Sequence, residues 1–428
     1  MQAPSLSGRR NRVLGTGAAL FYDEPLHLVR GDGVELFDAS GQRYVDMYNN
    51  VPCVGHANPV VVEAMARQQA TLNVHNRYLH EGILDFAERL TSLQHDGIES
   101  VIFSCTGTEA VENALRMARI ATGKRGIVCT DATYHGSNDL VGSLTWVGRD
   151  NQETDEVRAF PYPDKYRPLA EDLDEVALGA AYLEHVRAAI DGVEKSGAGF
   201  AALIMCSILA NEGLPDIPHR FMTQAAELAR AAGGLVIADE VQAGYGRTGQ
   251  WWGYDVTEFT PDIIVTGKPM GNGLPLAATT ASRELVDKFR AGTRYFNTFS
   301  STPLQAAVGM AVLDEIENRN LLENARKIGA SLKSELDKRQ RNYDIIGDVR
   351  GRGLFLGIEM IKGGGDKSPD ARRAVEIGNK LKSRGFLTSH AGSLENVVKI
   401  RPPLVFSADN AAEFLVAFDD VMDNLDGW

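Results

Sequence analysis

Residues 234–242 read Gly-Leu-Val-Ile-Ala-Asp-Glu-Val-Gln. A short apolar run that ends in an acid suits a strand buried on both faces, with Asp239 delivered to its carboxyl end. Ligands of open α/β sheets bind at that edge. Similar runs lie to either side, at 101–105, 126–130, 201–208 and 262–266. Helical patterns fall between several of them, as at 111–120 and 221–232. Buried strands separated by helices predict an α/β fold with a mostly parallel sheet covered on both faces.

The ends of the chain read differently. Residues 28–47 suggest a small antiparallel ribbon, with turns at 31–33 and 39–41. After Ser301 a helix-rich stretch runs through Leu336. A strand at 353–361, a polar turn at 363–365, a further helix and a strand at 397–400 follow. At 428 residues the chain exceeds what one core usually supports. The expected division is an N-terminal arm with part of a small domain at 1–52, a large domain at 53–300, and the rest of the small domain at 301–428.

The formal net charge is −13, the wrong sign for a protein that must replace counterions on duplex phosphates. Nucleic acid and anionic membranes are therefore not expected partners. No apolar run approaches the roughly 18 residues of a membrane span, and residues 1–20 hold Arg9, Arg10 and Arg12 without a long apolar segment. Cys53, Cys105, Cys129 and Cys206 form no C-x-x-C pair, so free thiols in a reducing compartment are expected. A cytoplasmic protein without a metal fits these features.

Four segments carry chemistry. Thr106-Gly-Thr-Glu109 follows the first strand, has capping-box spacing and opens a helix. Unpaired N–H groups at such a start favour a phosphate, and Gly107 allows close approach. The same pattern also caps helices that bind nothing. Asp131-Ala-Thr-Tyr-His-Gly136 follows the second strand and offers the face of Tyr134, with His135 beside it. Asp239 could hold a metal, an amine or a protonated ring nitrogen, or simply cap the next element. Ile264-Val-Thr-Gly-Lys-Pro-Met-Gly-Asn-Gly273 places Lys268 among glycines at the sheet edge. A desolvated lysine there is a Schiff-base nucleophile.

An apolar strand ending in Asp-Glu also resembles a nucleotide-hydrolysis motif, which requires a G-x-x-x-x-G-K-[ST] loop. Gly123 and Lys124 have Ala118 where the first glycine belongs, and Gly267 and Lys268 have Asp262. That class is excluded. A phosphate cradle, an aromatic face, a carboxylate and a lysine after four successive parallel strands together suit a pyridine aldehyde phosphate.

The chain resembles the class III (omega) aminotransferases of pyridoxal-phosphate fold type I from about Phe21 to Phe414. The resemblance rests on Gly33-Val-Glu-Leu-Phe-Asp38, Val54-Gly-His-Ala-Asn-Pro59 and Asp239-Glu-Val-Gln-Ala-Gly-Tyr-Gly-Arg-Thr-Gly249. It implies an aspartate-aminotransferase-like fold, with a large mostly parallel seven-stranded sheet domain and a smaller α+β domain from both chain ends. It implies that Lys268 forms the cofactor aldimine and shuttles protons, and that Asp239 pairs with the pyridinium. Tyr134 and Val241 would cover the ring, Gln242 would reach its hydroxyl, and Gly107 and Thr108 would bind the phosphate, with His135 in their company. Phe296-Asn-Thr-Phe299 resembles the segment that enters the neighbouring subunit, with Thr298 touching its phosphate. A homodimer with shared active sites follows from that likeness.

Several positions depart from the family pattern. The segment resembling Glu-Pro-Val-Gln-Gly-Glu-Gly-Gly is Cys206-Ser-Ile-Leu-Ala-Asn-Glu-Gly213, with Asn211 at the second glutamate and Glu212 beside it. The family's carboxylate-binding arginine falls on Lys399, with Arg401 two residues on and on the same strand face. His75-Asn-Arg-Tyr-Leu-His-Glu81 looks closer to the subgroup of alanine–glyoxylate-type aminotransferases and amino-alcohol-phosphate phospho-lyases. Substrate contacts are expected from Tyr22, Glu212, Lys399 and Arg401, with Asn50 and Val51 nearby. The reaction implied is transfer of an amino group from an amine or omega/beta-amino acid to a small 2-oxo acid such as pyruvate. Phospho-lyase elimination and decarboxylating transamination are the alternatives. An aminotransferase-like transcription regulator would need a basic segment ahead of the fold, which the acidic chain lacks.

Overall fold

A computed structural model describes residues 5–146 and 153–425. Near the N-terminus, β1 (Leu28–Asp32), β2 (Glu35–Asp38) and β3 (Arg43–Asp46) form the expected antiparallel ribbon. The central sheet contains β4 (Ser100–Ser104), β5 (Gly126–Thr130), β6 (Val157–Phe160), β7 (Phe200–Cys206), β8 (Leu235–Asp239), β9 (Ile263–Thr266) and β10 (Ala277–Ala281). Their spatial order is β4-β10-β9-β8-β7-β5-β6. β5 and β7 are buried along their whole length, as apolar runs between two helical layers must be. Pairing from β9 through β8, β7 and β5 to β6 is parallel.

β10 is antiparallel to both its neighbours, β4 and β9. The four chemical segments therefore follow strands of one direction, but not adjacent ones: β10 separates β4 from β9, and β7 separates β5 from β8. β10 itself reads Ala-Ala-Thr-Thr-Ala, without a large apolar residue to announce a strand. Its threonines are satisfied by hydrogen bonds at 2.7 Å, from Thr279 to the Ala110 carbonyl and from Thr280 to the Gln94 amide oxygen.

The helix Gly107–Thr122 begins with the capping box read from the sequence and ends at Gly123 in a left-handed conformation. Its apolar face, including Val111, Ala114 and Leu115, is fully buried against the sheet. The long helices Pro303–Asn318 and Leu321–Asn342 fill the helix-rich stretch after Ser301.

Beyond them come β11 (Ile346–Arg352), β12 (Phe355–Gly363), β13 (Asp366–Pro369), β14 (Phe386–Leu387), β15 (Ser389–Ala391) and β16 (Val397–Ile400). Four of these run in the order β11-β12-β16-β15, with β13 on β12. β14 instead pairs in parallel with β3, which joins the two ends of the chain in one sheet. β11 carries polar residues because Arg350 and Glu359 form a buried ion pair across to β12, with Asp348 3.2 Å from the same guanidinium. Pairing of this kind offsets the desolvation cost of buried charges. Among the described residues, no helix is long and apolar enough to cross a membrane.

Candidate functional site

The loops after β4, β5, β8 and β9 converge on a cleft of about 130 Å³ at the carboxyl edge of the sheet. Gly107, Thr108, Tyr134, His135, Asp239, Val241, Gln242 and Lys268 all line it. At its floor the capping box commits the Glu109 N–H to the Thr106 hydroxyl at 3.1 Å. The N–H groups of Gly107 and Thr108 carry no hydrogen bond among the described residues, so they remain free to meet an anion. A β-carbon on Gly107 would stand 3.3 Å from both methyl carbons of Val241, and one on Gly136 would reach 2.6 Å from the Thr108 hydroxyl. Both glycines keep this end of the cleft open.

Asp239 ends β8 almost fully buried. Its Oδ1 accepts from the Val241 N–H at 3.0 Å, and its Oδ2 lies 2.7 Å from His135 Nδ1. The other ring nitrogen of His135 sits 3.1 Å from the Thr133 hydroxyl, and Cys206 Sγ is 3.7 Å from that hydroxyl. Burial pushes the Cys206 thiol well up, and the charges of Asp239 and Glu212 add to this, which keeps the sulfur protonated. His135, Cys206 and Asp239 lie close enough to share a cation. A protonated thiol is a poor ligand, however, and Asp239 and His135 already serve each other. A carboxylate held this way is suited to a protonated ring nitrogen.

Lys268 opens a short 3-10 turn with φ of +28°, a strained conformation for a residue with a side chain. Its ammonium has neither a hydrogen bond nor an ion pair among the described residues. Burial lowers its pKa; the Asp239 charge opposes this and Arg401 reinforces it. The result is an accessible amine biased toward its nucleophilic form. Free N–H groups at a helix start, a buried carboxylate and this amine together fit a planar aldehyde phosphate.

Lys399 and Arg401 meet at Gln242. The Gln242 side-chain oxygen Oε1 accepts from Arg401 Nη1 and lies 3.4 Å from Lys399 Nζ, while its Nε2 donates to Asn211 Oδ1 at 3.2 Å. Both cations are buried, and neither has a carboxylate within ion-pair distance among the described residues. Burial, followed by the charges of Arg401 and Lys268, pushes the Lys399 pKa well below that of an ordinary lysine. Lys399 also donates to the Ala210 carbonyl at 2.9 Å, and Arg401 Nε donates to the Tyr48 carbonyl at 3.0 Å.

Two expected substrate contacts stand elsewhere, and Thr298, expected at a neighbouring subunit's site, lies outside this cleft. The Tyr22 hydroxyl donates to the Thr388 carbonyl at 2.7 Å, within a small cluster of Leu36, Tyr44 and Leu387. Glu212 turns inward, accepting from Thr130 at 2.8 Å and from the Asn211 N–H at 3.1 Å. Burial raises its pKa. Thr298 lies in a separate cleft with Asn73, His75 and the exposed Phe299. Two residues at the site went unassigned in the sequence. The Tyr48 ring centroid lies 5.0 Å from the Arg401 guanidinium carbon, and Arg247 is buried behind Gln242. Arg247 lies inside the quoted 239–249 motif, but Tyr48 stands in a stretch with no distinguishing pattern.

The sequence matches the aminotransferase class-III family over residues 21–422. It is 36% identical over 424 residues to an alanine–glyoxylate aminotransferase 2-like protein of Drosophila melanogaster, covering 96% of this chain and 86% of that one. A phospholyase from Arthrobacter, solved in complex with phosphoethanolamine, superposes with a TM-score of 0.94 at 37% identity, covering 98% of this chain and all of the other. An amine transaminase from an uncultivated Pseudomonas species, solved in its PLP-bound form, superposes with a TM-score of 0.86 at 27% identity, over 94% and 95% of the two chains. The chain belongs to the class III aminotransferases, enzymes of fold type I that depend on pyridoxal phosphate.

Proposed function

We propose that this enzyme eliminates phosphate from a small amino-alcohol phosphate, with phosphoethanolamine as the simplest candidate. The observation that carries this reading is the pair Lys399 and Arg401, both buried and both without a carboxylate partner among the described residues. Uncompensated buried charge is costly, so such a pair suits a ligand that brings compensation. A phosphate monoester carries roughly −1.5 to −2 charges at pH 7, enough for two cations, whereas a carboxylate carries only one. The planar fork of Arg401 also suits bidentate contact with phosphate oxygens. The likeness to the Arthrobacter phospholyase supports the same choice.

Pyridoxal phosphate, when bound, supplies the electron sink that stabilises negative charge at the amine carbon. In this reading Lys268 removes the proton from that carbon. Lys399 and Arg401 hold the substrate phosphate and stabilise the charge it takes on leaving. The C–O bond next to the amine carbon breaks with its electron pair on phosphate. The carbon that lost phosphate takes up a proton, and water converts the remaining fragment to aldehyde and ammonia. No oxidant and no amino acceptor are consumed. Asp239 would keep the ring nitrogen protonated, Gly107 and Thr108 would hold the cofactor phosphate, and Tyr134 and Val241 would lie on either side of the ring.

Two of the comparisons favour a second reading, amino transfer from an amine or omega/beta-amino acid to pyruvate: the Drosophila relative is named an aminotransferase and the Pseudomonas structure an amine transaminase. The holoenzyme incubated with phosphoethanolamine and no 2-oxo acid separates the two. Stoichiometric inorganic phosphate and acetaldehyde are expected. No phosphate release in that incubation, with alanine formed once pyruvate is supplied as acceptor, would replace the elimination reading with transfer.

The exposed Thr298 and Phe299, beside a cleft of about 580 Å³, support a homodimer in which this segment completes the neighbour's site. The four unpaired cysteines, three of them buried, support a reducing, cytoplasmic compartment.

A further inference from the structure

Arg247 and Arg350 are among the largest fully buried side chains, and where Arg350 is paired with Glu359, Arg247 has no carboxylate partner among the described residues. Burial first, and then the nearby Arg401, lower its pKa to about 9. Its fork reaches three separate parts of the chain. Nε donates to Asn50 Oδ1 at 3.0 Å, and Nη1 donates to the carbonyls of Leu354, at 3.1 Å, and Pro402. The Leu354 N–H returns a bond to the Arg247 carbonyl at 3.1 Å.

Each end of this fork leads to one member of the Gln242 and Arg401 pair. Asn50 passes the contact on by donating its Nδ2 to the Gln242 backbone carbonyl at 3.2 Å. Pro402 directly follows Arg401, whose own N–H is fixed to the Met47 carbonyl at 2.7 Å. Gln242 and Arg401 come from segments some 160 residues apart in sequence, and their side chains meet in the site. A planar five-donor cation can hold both segments at one separation, which a flexible ammonium with a single nitrogen cannot do.

We propose that Arg247 is a positioning residue for substrate recognition, setting the spacing of Gln242 and Arg401 so that the buried cations receive an anionic group in one orientation. The inference rests on reading Lys399 and Arg401 as an anion subsite. Arg247 touches neither cofactor nor substrate, so its loss should act on anion binding rather than on the bond-breaking step.

The test uses the holoenzyme and the Arg247→Lys variant, which keeps the charge and loses the fork. Inorganic phosphate binding is measured by titration calorimetry, alongside KM and kcat for phosphoethanolamine. In the variant, phosphate affinity is expected to fall and KM to rise by about tenfold, the scale of one lost hydrogen bond to a charged group. In the same variant kcat, the visible cofactor band and cofactor retention on gel filtration stay close to wild type. Unchanged phosphate binding would overturn the assignment. Parallel loss of phosphate binding, cofactor band and retention would also overturn it, in favour of a purely structural role. Asn50→Ala is the second variant: it leaves Arg247 in place and cuts the links to the Val241 and Gln242 backbone carbonyls, and unchanged phosphate affinity there counts against the proposal equally. A wild-type enzyme that binds no phosphate would instead remove the anion subsite itself, and with it the elimination reading.

Discussion

His135 Nδ1 and Asp239 Oδ2 lie 2.7 Å apart, both buried, at the carboxyl end of the central strand β8. A carboxylate only accepts, so the proton of this contact sits on the imidazole side. With Oδ1 taken by the Val241 N–H, Asp239 cannot turn away from the cleft without breaking two bonds. Its charge is thereby fixed where a ring nitrogen would need it.

Asp239→Asn is expected to lower kcat/KM by roughly two to four orders of magnitude. Breaking a buried charged pair costs about 3–5 kcal/mol, and each 1.4 kcal/mol is about tenfold. His135→Phe, which removes the hydrogen bonds to Asp239 and Thr133 and leaves the carboxylate, should cost roughly 10- to 100-fold. Steady-state kinetics check both, and an Asp239→Asn enzyme within tenfold of wild type would contradict the pyridinium pairing.

Lys268→Ala should abolish turnover and leave any cofactor unattached. The lowered pKa of Lys268 gives a further expectation in the cofactor-free protein. The neutral amine is the reactive form, and it appears as pH rises through the folded-state pKa, which lies below that of an ordinary lysine. Cofactor capture, followed by the growth of its visible band, should therefore rise with pH and level off below pH 10.5.

Arg401→Ala and Lys399→Ala should each raise KM for an anionic substrate by roughly 10- to 100-fold, the scale of a hydrogen bond to a charged group. The double variant should fall short of the product of the two, because both side chains meet at Gln242. Kinetics over a substrate series from phosphoethanolamine to a neutral amine measure this, and the neutral amine should respond least.

Gly329→Ala tests packing. Alanine favours a helix over glycine by about 1 kcal/mol. At this position, however, its β-carbon would lie 2.0 Å from the Gly353 carbonyl oxygen, a backbone atom that cannot step aside. Overpacking of this kind costs about 1–3 kcal/mol or more, so a net loss is expected and thermal unfolding should begin several degrees earlier.

Glu240, fully buried beside Asp239, has its pKa raised from 4.5 to about 7 by burial, while N–H bonds from Gly253 and Tyr254 oppose the shift. A carboxyl raised in the folded state contributes stability below about pH 4.5 and loses it as pH rises through about 7. The melting temperature of wild type minus that of Glu240→Gln should therefore shrink between pH 5 and pH 8, with each pH unit of that window worth up to about 1.4 kcal/mol. A difference that grew with pH would reverse the assignment.

The sheet and the residues of the cleft were legible for the same reason. Buried parallel strands are mostly apolar along their length, and Asp239 and Lys268 stand out at their ends because nothing charged precedes them within those strands. β10 was not legible, since alanine and threonine pack between two strands without an apolar signature. β11 stayed hidden because its charges are paired across to β12, a contact distant in sequence. Glu212 read as a substrate contact from its neighbourhood in the chain, but the loop after β7 turns its carboxylate toward Thr130. Tyr48 gained its place beside Arg401 only when β3 and β16 were brought together by the fold.

β10 is the last of the seven central strands to be synthesised, yet it lies between the edge strand β4 and β9. Until residues 277–281 leave the ribosome, the helix start at Gly107 and the lysine after β9 have no hydrogen-bonded ladder between them. A nascent chain halted just before Ala277 would hold Asp239 and Lys268 on the paired strands β8 and β9, yet lack the ladder that ties β4, and with it Gly107, to them. Cofactor capture during translation must therefore wait for a strand that supplies none of the groups lining the cleft.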